Sequence, residues 1–164
     1  LVLPARAELA VGADARLFTA PATLGGAEFS FSLAEALKTG PVVLYFYPAA
    51  FTKGCTVEAH DFAEATDAFK ALGATVIGVS ADDIAKLNEF SVAECRSKFA
   101  VASDADQAIM KAYDAVLEMK PELADRTSYV ISPEGKILFV YSALDPSGHV
   151  EKTMEAVKAW KASH

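Results

Sequence analysis

Between residues 42 and 47 the chain reads Val42-Val43-Leu44-Tyr45-Phe46-Tyr47, with no charged or strongly polar position. A short β-branched and aromatic run of this kind predicts a central strand buried on both faces. Pro48 stops it, because proline brings no N–H to the ladder. Beyond it the period changes. Phe62, Ala65, Phe69 and Leu72 recur at helical spacing, and Gly73 stands where a C-terminal cap is expected. Cys55 therefore falls in the first turn of a helix, at a strand–loop–helix junction. Thr75-Val76-Ile77-Gly78-Val79-Ser80 is a second buried strand, so the three elements form a right-handed βαβ unit with parallel strands.

The flanks follow the same logic. Residues 1–15 read as an irregular, alanine-rich lead-in, of which 1–10 stand clearly apart. Gly25-Gly26 between short apolar segments predicts a β-hairpin. Leu33 to Lys38 predicts one helical turn, closed by Gly40 and Pro41. Asp82 or Asp83 caps a helix carrying Ile84, Leu87 and Val92 that runs to about Ser97. Phe99 to Ala102 reads as a short strand. A helix over 104–113, begun by Ser103 or Asp104, and a polar loop to Asp125 follow. Two strand-like runs, 127–131 and 136–141, flank Pro133-Glu134-Gly135 as a second hairpin. In the last helix, after Gly148, Val150, Met154, Val157 and Trp160 share the face that packs on the sheet. This order predicts one α/β domain over 1–164: a central mixed sheet with helices on both faces.

Composition narrows the class. The 164 residues are 52% hydrophobic, enough for one core without staples. A net charge of −7 argues against nucleic acid as a partner. No apolar stretch is long enough for a membrane span. Two cysteines are too few for a disulfide scaffold, and His60, His149 and His164 make no familiar metal-ligand spacing with them. No metal and no cofactor is expected. A start at Leu1 rather than Met fits a trimmed chain or a removed signal peptide, which leaves cytoplasm and periplasm both open.

The candidate chemistry centres on Cys55. Free backbone N–H groups and the dipole at a helix start favour negative charge, and the thiolate is the nucleophilic form of a thiol. Thr52 can turn its hydroxyl toward the sulfur or toward an oxygen of a bound substrate. Gly54 permits a close approach. The same residues also fit a buried structural cysteine behind an ordinary threonine cap. Arg126 stands directly before the strand 127–131. It is a candidate cation for the sulfur or a surface partner of Asp125. Glu58 either orients Arg126 or is an ordinary first-turn acid. Lys53 reads as a solvated side chain. His60, about 7.5 Å along the helix axis from Cys55, reads as a half-exposed surface histidine rather than a base.

Pro48-Ala49-Ala50-Phe51-Thr52-Lys53-Gly54-Cys55, a Pro-x-x-x-Thr-x-x-Cys sequence after a hydrophobic strand, resembles the peroxidatic motif of the peroxiredoxins. The continuation Cys55-Thr56-Val57-Glu58 resembles their Q-type, or bacterioferritin comigratory protein, branch. The likeness extends over roughly residues 10–162. Arg16 stands where the family commonly has a proline. The resemblance implies a thioredoxin-like fold and a thiol peroxidase acting on hydrogen peroxide or organic hydroperoxides. Cys55 is then the peroxidatic residue and becomes a sulfenic acid. Arg126 reaches the sulfur, Pro48 shields it, and Thr52 bonds the peroxide. The implied recycling partner is thioredoxin or a similar thiol reductant, and the implied state is a monomer.

Many Q-type members carry a resolving cysteine five residues after the first. Here that position is His60, and Cys95 is the second thiol. Cys95 is read as the resolving residue. Since Cys55 starts one helix and Cys95 ends another, the reduced thiols are expected to lie too far apart for a disulfide without local unwinding. A one-cysteine peroxidase resolved by an outside thiol is the alternative. A thiol-disulfide oxidoreductase normally shows Cys-x-x-Cys, whereas Thr52 occupies that place here. An acyl-transfer enzyme would need a histidine base, and none has a clear claim. A binding module on the same fold would leave Cys55 inert.

Overall fold

The computed structural model describes residues 8–164, and most of the lead-in, 1–7, lies outside them. Twelve elements follow in order. They are β1 (Thr19–Leu24), β2 (Ala27–Ser32), α1 (Leu33–Leu37), β3 (Val42–Phe46), α2 (Lys53–Ala71) and β4 (Thr75–Ser80), then α3 (Ile84–Ala93), β5 (Ala100–Ser103), α4 (Ala108–Ala112), β6 (Thr127–Ile131), β7 (Ile137–Ser142) and α5 (His149–Ala162). The strands form one mixed sheet in the order β2-β1-β5-β4-β3-β6-β7. β3 pairs parallel with β4 and antiparallel with β6, as a thioredoxin-like core requires.

The two faces of β3 explain why it reads as unbroken apolar sequence. Val42, Leu44 and Phe46 point to a core layer shared with α1 and α4. Val43, Tyr45 and Tyr47 point to the other layer, under α2, α3 and α5. Strand alternation thus buries both sets. Tyr45 lies opposite Gly78 of β4, and its ring stacks on Phe62 of α2 with centroids 4.3 Å apart. A Cβ at Gly78 would come within 2.9 Å of that ring. The missing side chain lets Tyr45 lie flat under the helix that carries Cys55.

Helices α3 and α4 are shorter than the pattern predicts, and a few side chains take other places. Helix α3 stops at Ala93 rather than near Ser97. The amides of Glu94 and Cys95 both go to Phe90 O, and Arg96 and Ser97 follow with φ of 53° and 56°. Val92, expected on the buried face, is exposed. Helix α4 covers only 108–112, not 104–113. Asp104 instead holds the Ile109 and Met110 amides with its carboxylate, across a turn in which Gln107 is left-handed. Asp83 caps α3 through the Lys86 amide, while Asp82 is used elsewhere. On α5, Thr153 takes a buried place and Trp160 stacks on His164. The lead-in is also less irregular than its composition suggests. Gly12 and Ala15 donate to Ile137 O and Gly135 O, which docks this segment on the second hairpin.

Candidate active site

β3 ends inside the molecule, and its ladder extends one residue further through the Tyr47 amide to Val79 O. Pro48, half-buried, then turns the chain out of the sheet. The loop is held from beneath by Asp82. Its carboxylate accepts the Ala50 N–H at 2.7 Å and the Ser80 hydroxyl at 2.8 Å. Phe51 adopts a left-handed φ of 69° and sets its ring edge-on against Phe90, 5.2 Å between centroids. These contacts fix where α2 begins.

Thr52 is the N-cap residue by backbone geometry, but its side chain makes no capping hydrogen bond. Its hydroxyl donates to Ala49 O at 2.7 Å. The expected turn of the Thr52 proton toward the sulfur is therefore corrected. With the donor committed, the oxygen presents only lone pairs. The first intrahelical bond runs from the Thr56 amide to Thr52 O. The amides of Lys53, Gly54 and Cys55 thus have no carbonyl partner within the helix. Cys55 is the third helical residue and only 2% exposed.

Arg126 precedes β6 and is buried beside this turn. Its Nη2 donates toward Cys55 Sγ at 3.5 Å, Nη1 donates to Glu58 Oε1 at 2.6 Å, and Nε donates to Leu144 O at 2.7 Å. All three nitrogens are used, so the guanidinium is fixed in plane. Asp125 accepts the Arg126 backbone amide, not the guanidinium, so Arg126 is not the surface partner of that acid. Gly54 makes the arrangement possible, since a Cβ there would lie 2.9 Å from Nη2.

Glu58, left open between two readings, is fully buried one turn into α2 and bonded to Arg126. Burial pushes its carboxyl up to about 8, against the pull of Arg126. Behind it lies a residue that the sequence reading passed over. His149, the first residue of α5, is fully buried, with Nδ1 2.8 Å from Ser128 Oγ and 3.6 Å from Glu58 Oε2. Burial holds this imidazole below its ordinary value. A histidine in the first turn of an amphipathic helix, on its apolar side, was the available signal.

Cys95 sits just past α3 and is completely buried, in the same apolar layer as Cys55. Both thiols are free. Burial pushes the Cys95 thiol well up. His60 is half-buried, as expected, and its Nε2 lies 3.3 Å from Glu94 Oε1, which ties α2 to the turn that holds Cys95. Lys53 is exposed.

Known proteins share this arrangement's sequence and fold. The chain is 33% identical over 123 residues to peroxiredoxin Q, chloroplastic, of Oryza sativa subsp. japonica, an alignment covering 74% of this chain and 56% of the rice protein. The chain thus spans little more than half the length of the plant relatives it matches. It is also 33% identical over 123 residues to peroxiredoxin Bcp of Xanthomonas campestris pv. campestris, covering 72% of this chain and 76% of that one. The crystal structure of peroxidoxin BcpB from Mycobacterium tuberculosis superposes with a TM-score of 0.81 at 30% identity, over 91% of this chain and 96% of that one. The AhpC/TSA family model matches residues 11–140, a stretch that holds Pro48, Thr52, Cys55 and Arg126. By the match to that model and to the peroxiredoxins of the Q/Bcp branch, this chain belongs to the AhpC/TSA family.

Proposed function

We propose that the protein is a thiol-dependent peroxidase that reduces hydrogen peroxide or an organic hydroperoxide at Cys55. The observation that carries this reading is the Arg126 Nη2 contact, 3.5 Å from Cys55 Sγ, at the start of α2. The thiolate attacks the terminal peroxide oxygen. The O–O bond breaks, the S–O bond forms, and the departing oxide takes a proton to become water or an alcohol. Cys55 is left as a sulfenic acid. Arg126 and the free amides of 53–55 stabilise the negative charge as it moves from sulfur to oxygen. Thr52, its own proton held by Ala49 O, accepts a hydrogen bond from the peroxide O–H and so orients it. Pro48 walls the sulfur off.

Cys95 is the proposed resolving residue. Its thiol condenses with the sulfenic acid, giving a disulfide and water, and a thioredoxin-type dithiol then reduces that disulfide. Complete burial of Cys95 means that its turn must open first. Backbone strain in the turn supports such an opening. Arg96 and Ser97 are consecutive left-handed residues without being glycine, each costing about 1–2 kcal/mol. The same burial favours a second reading, in which an external thiol reaches Cys55 directly.

Peptide mapping after one equivalent of hydrogen peroxide and thiol blocking tests both points. A Cys55–Cys95 linkage is expected within seconds. In Cys95→Ser, one added oxygen on Cys55 is expected, with slower turnover by thioredoxin. Unchanged turnover in that variant would leave only the external-thiol route, and an unmodified Cys55 would remove the peroxidase reading.

Gly54→Ala offers a geometric check. The added methyl displaces Nη2 from the sulfur, while the backbone of Gly54 needs no left-handed angle. The rate of Cys55 oxidation is expected to fall roughly 10–100-fold, on the scale that a misplacement of about 1 Å carries. Far-ultraviolet circular dichroism should stay as in the parent.

A further inference from the structure

His149 Nε2 lies 2.9 Å from Ala143 O. A carbonyl only accepts, so Nε2 carries a proton and Nδ1 of the neutral ring is a lone pair. That lone pair faces the Ser128 hydroxyl at 2.8 Å and Glu58 Oε2 at 3.6 Å. Glu58 Oε2 is buried and has no hydrogen-bond donor, whereas Oε1 has Arg126. The Ser128 hydroxyl donates to that lone pair, so Glu58 Oε2 is the one atom of the group left without a donor, 3.6 Å from Nδ1. A proton on Oε2 gives this oxygen a donor of its own, which Nδ1 accepts when the Ser128 hydroxyl turns away.

The charges lead to the same place. A Cys55 thiolate and an ionised Glu58 would set two negative charges against one guanidinium, at positions almost without solvent. A proton on the Glu58–His149 pair makes the buried cluster neutral. We propose that His149 is a positioning residue of the site: its Nδ1 lone pair holds a proton on Glu58 Oε2, so that the Arg126 charge serves the Cys55 sulfur rather than a carboxylate. This rests on the peroxidase reading for its consequence but not for its geometry.

The groups around the pair are few. On β3 it is Tyr45, whose buried phenol is raised by burial and in part by the Glu58 charge, and on α2 they are Cys55 and Asp61, and Asp61 raises Glu58 further. Before β6 it is Arg126, which favours the carboxylate. His149 is faced by Arg126, by Asp145 of the loop before α5, by Asp125, and by the Tyr141 ring, edge-on at 4.7 Å. As pH rises through about 8 the pair loses its proton, the carboxylate takes a larger share of Arg126, and the rate of Cys55 oxidation falls. His149→Phe keeps an aromatic ring, a slightly larger one, but removes the acceptor that stabilises the protonated carboxyl. Its fall is expected at least one pH unit lower, so alkylation of Cys55 at pH 8 should be slower than in the wild-type protein by about fivefold or more.

Infrared difference spectroscopy of the reduced wild-type protein, against Glu58→Gln, reads the proton directly. A protonated-carboxyl C=O band at pH 7, absent from Glu58→Gln and titrating at lower pH in His149→Phe, is the expected result. A carboxylate-only spectrum at pH 7 overturns the proposal. Nitrogen-15 shifts of His149 in the wild-type protein need no variant. They should report the Nε2–H tautomer near neutral pH, and an Nδ1–H tautomer would overturn it. Glu58→Gln can still donate to Nδ1, so it should lack the fall near pH 8, and adding His149→Phe to it should change the profile less than twofold. An additive second effect would mean that His149 acts only on packing. None of the spectroscopic readouts depends on peroxide turnover, so an inert Cys55 would remove the peroxidase reading and leave this test intact.

Discussion

Cys55→Ser is expected to bring peroxide consumption down to background, a loss of roughly 10³-fold or more, as when a sole nucleophile is removed. A serine hydroxyl beside Arg126 can still accept a hydrogen bond, but it is not ionised at neutral pH and its oxygen does not attack O–O bonds. Cys95 is not expected to take over, because burial keeps its thiol in the protonated form and the guanidinium of Arg126 is committed to Leu144 O, Glu58 and Cys55. The substitution shortens one side chain at a nearly closed site and keeps a polar atom for Nη2. Stability by urea unfolding is therefore expected to change by only about 1 kcal/mol. That near-constancy makes the result diagnostic, since a folded variant without peroxide consumption has lost chemistry rather than structure. Residual consumption with a sulfenic acid trapped on Cys95 would move the nucleophile to the wrong thiol.

The features legible in the sequence are those that one element writes by itself. Uniform burial of β3 shows as six apolar residues in a row. The α2 face shows as Phe62 and Phe69 at helical spacing. The loop motif shows because Pro48, Thr52 and Cys55 all lie within one turn of chain. Features that need two distant segments were silent or misread. Asp82 reads as a possible helix cap, yet its carboxylate reaches back to the Ala50 amide and anchors the loop. The end of α3 carries no glycine or proline, because Arg96 and Ser97 take the left-handed turn themselves. Asp104 looks like a helix start but spans a turn to hold the amides of Ile109 and Met110. Glu58 was ambiguous for the same reason. A first-turn acid looks alike whether it faces water or a guanidinium, and only the packing of α5 on α2 and β6 brings His149 behind it.

Arg126 separates charge from geometry, so two replacements there should differ in one property and agree in another. Arg126→Met removes the cation. Oxidation of Cys55 by peroxide is expected to slow by about 10²–10³-fold, or roughly 3–4 kcal/mol of transition-state stabilisation, the scale measured when a preorganised donor is lost. Arg126→Lys keeps the charge, yet one ammonium cannot reach Leu144 O, Glu58 Oε1 and Cys55 Sγ in the planar fork that Nε, Nη1 and Nη2 span. The lysine variant should therefore lose nearly as much peroxide rate as the methionine variant, while alkylating Cys55 faster than the methionine variant does. Both leave Glu58 buried without the Nη1 donor of the guanidinium, a change that costs about 3–5 kcal/mol where the acid stays ionised. Because Glu58 can keep its proton instead, the folding loss should be the smaller part, and Glu58→Gln combined with Arg126→Met should restore stability without restoring peroxide rate. Stopped-flow oxidation of Cys55 beside urea unfolding of the same samples checks each limb. A lysine variant within threefold of wild type in peroxide rate would mean that charge alone suffices, and that the three fixed contacts of the guanidinium are structural rather than catalytic.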